Sequence, residues 1–230
     1  MIRIDNLFLK KKIPEISDLS LQVKAGETFV LLSSGERVSN HLINIFTGRE
    51  RNFSGTVMVN QQNILNDLKS LRRNLVYIGK ESDWPPVIRI KDIMGFLRRI
   101  TRISEEKYEE FKIKMNLDQL NRYRINDLEE VEKRRLLFSI VQLGKSNNFV
   151  IQDLAKGMPI DFILEFKENI RQLKRKGCSI LYISDDVFFA PEIGDRIGFL
   201  KKGKLLLELK GIKVKRMDLK ELYFRFLAEE

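Results

Sequence analysis

Apolar and polar residues alternate from Ile16 to Val23, and after a turn at Gly26 a second, apolar run, Thr28-Phe29-Val30-Leu31-Leu32, leads into a polar stretch. This pattern predicts two strands separated by a turn. A helix is predicted over 40–47, closed by Thr47-Gly48, and Phe53-Ser54-Gly55-Thr56-Val57 begins another strand. Between 82 and 147 the spacing becomes helical: Ile90 to Ile103, Glu105 to Met115 and Lys133 to Leu143 repeat apolar residues three or four apart, behind the turn-rich Ser82-Asp83-Trp84-Pro85-Pro86. Strand–helix alternation resumes at about 148. The expectation is one α/β domain over 1–230, with its core in 1–81 and 148–230 and a helical subdomain in 82–147.

The polar stretch after the second strand is the first candidate site. Ser33-Ser34-Gly35-Glu36-Arg37-Val38-Ser39-Asn40-His41 has the length and position of a phosphate-binding loop running into its helix. Such a loop needs glycines so that backbone N–H groups face the phosphates, a Lys for the β/γ oxygens and a hydroxyl for Mg²⁺. Against Gly-x-x-x-x-Gly-Lys-Ser/Thr, the glycines are Ser33 and Val38, the Lys is Ser39 and the hydroxyl position is Asn40.

With its flanks, this region resembles the opening of an ATP-binding-cassette (ABC) nucleotide-binding domain, where "SL-V--GE---LL" feeds the P-loop and an "SG-V" strand follows. Further landmarks of that family come in order along nearly the whole chain, each altered. Lys80 stands at the Q-loop Gln, and Glu129, Glu130 and Val131 stand at the Ser-Gly-Gly of the signature, between Leu128 and Lys133-Arg134-Arg135. Gln152 is at the Walker B Asp, Asp153 at the catalytic Glu and Asp185 at the switch His, while Asp195-Arg196-Ile197 follows the structural "DRI" hairpin. The resemblance implies an ABC-type P-loop NTPase fold, a RecA-like core with an antiparallel β subdomain and an inserted helical subdomain.

At the signature helix, Asp127 as N-cap and Glu130 closing a capping box would satisfy the N–H groups that the family offers to a γ-phosphate. Polar contacts to phosphate contribute roughly 1.5–3 kcal/mol each. Losing the Lys, a loop Gly and the metal anchor together predicts much weaker Mg-ATP binding. The expectation is therefore a non-hydrolysing pseudo-ATPase with no cofactor. It would act as structural or regulatory partner of an integral membrane permease, beside an intact ABC ATPase subunit where one is present. Trp84, Val87 and Ile88 are the candidate permease contacts, and the 217–227 tail resembles the terminal helix of exporter-type subunits.

Two other readings stay open. A residual ATPase would bind ATP and Mg²⁺ and work through Arg37 and Asp153. A soluble scaffold, or a nucleic-acid-associated regulator, would use the basic surface. The formal charge of +10 comes from Lys/Arg groups scattered along the chain, without aromatic interleaving, which disfavours nucleic acid and suits a surface beneath an anionic leaflet. The 230 residues, 43% of them hydrophobic, suffice for a substantial core. One cysteine, Cys178, precludes an internal disulfide. With no run near the roughly 20 apolar residues of a span and no signal peptide at Met1-Ile2-Arg3, a cytoplasmic protein, peripheral on the inner face of the membrane, is expected. The only histidine, His41, has no acid or second His at a recognisable spacing and is read as a helix-end residue.

Overall fold

A computed structural model describes residues 1–10, 16–33, 36–79, 87–101, 103–114, 117–211 and 219–228. In chain order they form β1 (Ile2–Leu9), β2 (Ser17–Val23), β3 (Thr28–Ser33), α1 (Glu36–Phe46), β4 (Phe53–Val59), β5 (Gln62–Asn63), α2 (Leu68–Asn74) and β6 (Val76–Ile78). Then come α3 (Ile90–Thr101), α4 (Glu105–Lys114), α5 (Leu117–Leu120), a 3-10 turn at Ile125–Asp127 and α6 (Glu130–Gln142). The chain continues with β7 (Asn148–Gln152), α7 (Ile160–Arg175), β8 (Ser179–Ser184), α8 (Ala190–Ile193), β9 (Arg196–Lys201), β10 (Lys204–Lys210) and α9 (Leu219–Ala228).

The strands join in the order β5-β4-β1-β2-β10-β9-β3-β8-β7-β6. Strands β3, β6, β7, β8 and β9 run parallel, while β1, β2, β4 and β5 form an antiparallel flank. Burial follows from that division. Every residue of β3, β7 and β8 is buried, whereas β1 alternates, because parallel strands are covered on both faces and this antiparallel flank on one. Gly55 is required where β4 passes a bulge in β1: its φ is +87°, and an added Cβ would lie 2.2 Å from the Asn6 carbonyl oxygen.

Two apolar clusters pack against the sheet, and a third, of Ile90, Ile93, Met94, Leu97, Phe111 and their neighbours, lies within the helical segment. The helical spacing read in 82–147 thus corresponds to α3, α4 and α6. Helix α1 starts four residues earlier than predicted. Glu36 and Arg37 are good helix formers, and Val38, standing at a loop glycine position, has none of glycine's freedom to hold the backbone open.

The Asp195-Arg196 motif is a structural knot. Arg196 pairs with Glu27 at 3.2 Å and Glu208 at 2.7 Å, donates to the Gln22 carbonyl and lies over the Phe29 ring. Asp195 accepts the Thr28 N–H and the Lys174 ammonium. The bond from Arg196 holds the Glu208 carboxyl below its ordinary value of 4.5. A carboxylate depressed in the folded state stabilises it above the unfolded pKa, and that contribution is lost as pH falls through the folded pKa. Glu208→Gln is expected to cost about 1 kcal/mol at neutral pH, with the gap to wild type closing below the ordinary value of 4.5. Urea midpoints measured down to acid pH check this, and a gap independent of pH would contradict it.

Candidate functional site

In an open parallel sheet, ligands bind at the carboxyl ends of the strands. The sequence-predicted positions that are described and lie on or just beyond these strands gather there: Ser33 ends β3, Gln152 ends β7 with Asp153 next, and Asp185 directly follows the end of β8. Helix α1 opens beside them. Ser34, Gly35, Lys80 and Trp84 lie outside the described residues. In α1, Arg37 and Asn40 are exposed, Ser39 is buried, and Val38 and His41 are half-buried. The first-turn amides of a helix lack intrahelical acceptors and, with the positive end of the dipole, suit an anion.

The polar groups at the strand ends are engaged with one another. Tyr77 Oη, on β6, donates to Gln152 Oε1 at 3.0 Å, and Gln152 Nε2 donates to Asn40 Oδ1 at 3.4 Å. Asp153 is buried with φ 44°, a left-handed conformation that aspartate tolerates better than most residues. Ser184 Oγ donates to Asp153 Oδ1 at 2.5 Å. Asp185 is exposed and holds Lys156 Nζ at 2.7 Å through both carboxylate oxygens. That bond, reinforced by the charges of Asp185, Asp153 and Asp186, raises the Lys156 pKa against its partial desolvation.

Sequence reasoning missed Tyr77, Lys156 and Ser184, which carry no motif of their own. Arg134 is visible in the sequence only as part of the signature frame. Its buried guanidinium donates to the carbonyls of Asp153, Leu154 and Lys156 at 3.3, 2.8 and 3.0 Å and to Glu130 at 2.8 Å.

The capping expected at the signature position is different in the structure. Asp127 belongs to the 3-10 turn and accepts the Arg124 N–H, and it is Glu132 that accepts the Glu129 N–H at 2.9 Å. The helix begins at Glu130, three residues beyond Asp127, too far for that side chain to cap it. Glu129 and Glu130 are exposed, while Val131 packs on the core. Of the proposed permease contacts, Val87 is 66% exposed, whereas Ile88 packs against the helical cluster.

No protein-family profile matches the chain. The lantibiotic transport ATP-binding protein SrtF of Streptococcus pyogenes is 22% identical over 214 residues, 90% of each chain. The glutamine transport ATP-binding protein GlnQ of Geobacillus stearothermophilus is 22% identical over 204 residues, 84% of this chain and 83% of that protein. Among solved structures, an ATP-binding subunit of an ABC transporter superposes with a TM-score of 0.88 at 16% identity, covering 99% of this chain and 100% of that one. The fold is that of an ATP-binding-cassette nucleotide-binding domain.

This ABC fold brings one correction. The altered motifs predicted a chain without a cofactor. Its relatives are ATP-binding proteins, and a dimeric ATP-binding cassette with the same fold, at a TM-score of 0.77 and 16% identity over 91% of this chain and 98% of that one, is bound to ADP and Pi. The prediction weighed lost side-chain contacts and gave too little weight to the backbone: the α1 terminus at the strand ends persists when the motif side chains change. For Mg²⁺ the fit differs in kind, since Asn40 Oδ1 and Gln152 Oε1 are neutral oxygens. They would hold the ion through its water shell, leaving most of the coordination to phosphate. When bound, that ion supplies charge neutralisation between phosphate oxygens.

Proposed function

We propose that this chain is an ABC transporter ATP-binding subunit that holds nucleotide at the α1 end of its sheet and does not hydrolyse it. The observation that carries this reading is the closed polar network at the strand ends. Gln152 is an amide tied to Tyr77 and Asn40, the Asp153 carboxylate is occupied by Ser184, and Asp185 is bound to Lys156. A water-activating carboxylate must be within reach of the attacking water. Here the buried Asp153 is turned toward Ser184, and the adjacent position that would anchor the metal has no charge.

Such a subunit works through its partners. An integral membrane permease is the expected one, with an intact ABC ATPase subunit supplying turnover where the complex contains one. The exposed Val87, with Trp84 three residues earlier in the sequence, is the proposed permease contact. No helix among the described residues is long and apolar enough to cross a membrane, in keeping with a peripheral place at the inner face. The 217–227 tail pattern favours an exporter-like complex.

The isolated protein is expected to bind ATP saturably and to release no phosphate above the uncatalysed rate. Asp153→Asn, which keeps an acceptor for Ser184 and tolerates the same backbone conformation, is expected to leave both unchanged. Binding by calorimetry and phosphate release over hours test this. Turnover that falls tenfold in the Asn variant would mean that Asp153 is a working base, and absence of binding at millimolar ATP would remove the nucleotide-holding role.

A further inference from the structure

A helix lying on a sheet shows one apolar stripe toward the core and polar residues on the opposite side. Helix α7 departs from this in its first two turns. Phe162, Phe166, Ile170 and Leu173 are buried and, at about 100° per residue, share one face. Ile160 and Leu164 fall on the opposite face and are 68% and 57% exposed. Lys167 and Lys174 bind Glu192 of α8 and Asp195, so α7 and the 188–195 segment run side by side in the same direction. Phe188, one helical turn before Glu192 and 70% exposed, therefore comes level with the turns of α7 that carry Ile160 and Leu164. The neighbouring Phe189 ring, 6.0 Å from that of Phe166, fixes this alignment.

The margins of this apolar strip are acidic. On the side of α6, Arg135 holds both Asp161 and Glu165. On the side of α8, Lys167 holds Glu192, and Lys156 holds Asp185 with the Asp186 charge close by. Carboxylates thus outnumber cations on both sides, although the chain as a whole carries a formal charge of +10. Single exposed apolar residues are ordinary on a protein surface. Several side by side, rimmed by charge, mark an interaction face.

We propose that this face docks a basic amphipathic helix of a partner protein, with the partner's apolar stripe on Ile160, Leu164 and Phe188 and its Lys or Arg residues against the two acidic margins. Helix recognition of this kind uses apolar anchors at i, i+3 or i+4 and i+7, a spacing that an apolar strip along α7 can meet. The apolar residues give affinity in proportion to the area removed from water. The margins select the sign of the partner's charge. An acidic helix would meet like charge here, however strongly the rest of the chain attracts it.

Two fluorescein-labelled helical peptides of about five turns, with the same leucine stripe and the remaining positions Lys in one and Glu in the other, test this. General attraction to a chain of charge +10 favours the Glu peptide, so the docking face predicts the opposite order. By fluorescence anisotropy the Lys peptide is expected to bind the full-length protein saturably at one per chain, at least tenfold more tightly than the Glu peptide. Leu164→Ser combined with Phe188→Ser should weaken it at least tenfold without moving the thermal midpoint, since both side chains are exposed. Ile160→Gln alone should weaken it severalfold. No saturable binding of the Lys peptide, equal or tighter binding of the Glu peptide, or unchanged affinity in these variants would each overturn the proposal. Neither Leu164 nor Phe188 belongs to the strand-end network, so none of these outcomes bears on nucleotide binding there.

Discussion

Phe166→Ala is expected to remove about 4 kcal/mol of folding free energy. Phe166 is 1% exposed, and its ring meets Phe138 of α6 at 5.0 Å, Phe162 of its own helix at 6.1 Å, and Tyr182 of β8 and Phe189 each at 6.0 Å. Truncation removes the transfer free energy of the ring and leaves a cavity that four other aromatic residues cannot readily fill, together with the lost edge and face contacts. For a chain of this length each kcal/mol moves the thermal midpoint by about 2–4 °C, so a fall of about 10 °C is expected by calorimetry. Phe166→Leu, which keeps most of the volume, should lose less than half as much. A fall under about 3 °C for the Ala variant would show that the cluster repacks.

Arg134→Ala is expected to cost about 3 kcal/mol and to loosen the loop behind Asp153. Three carbonyl oxygens, on Asp153, Leu154 and Lys156, converge on one guanidinium nitrogen, and Glu130 takes a second nitrogen. Removing the donor leaves acceptors at a largely buried position, each costing on the order of 1–3 kcal/mol when water cannot replace the partner. Lys at this position offers a single ammonium without the planar fork and should recover only part of the loss. Urea unfolding gives the energy, and amide exchange across 153–157 gives the loosening. Equal stability of Arg134→Ala and wild type would show that water satisfies the carbonyls.

This clamp also shows what the sequence could and could not make legible. Arg134 was visible as part of an altered signature, but its three carbonyl partners lie about twenty residues on, and no spacing rule links a side chain to the backbone of a distant loop. Asp153, Gln152 and Asp185 were placed by the resemblance of their segments to the Walker B and switch strands, whose apolar runs are local features of the sequence. Their partners Ser184, Tyr77 and Lys156 come from neighbouring segments and are brought close only by parallel pairing of β6 with β7 and β7 with β8. The capping at the signature helix failed for a related reason: the Leu128 turn set the helix start two residues later than the side-chain pattern suggested.

The hydrophobic pattern by itself determined the α/β core and the helical segment, since strand and helix periods are local properties of consecutive residues and do not depend on which polar side chains stand at the strand ends. The resemblance to the family's motifs, also read from the sequence, set which residue stands at each altered position. Only the tertiary structure decided what those residues do to one another: that the strand-end amides and carboxylates bind Tyr77, Asn40, Ser184 and Lys156, and that Ile160 and Leu164 of α7 and Phe188 before α8 share one exposed face. Such encounters depend on strand order and on packing between segments far apart in sequence. Hydrogen bonds and charges act over a few ångströms of space, however many residues separate the groups along the chain.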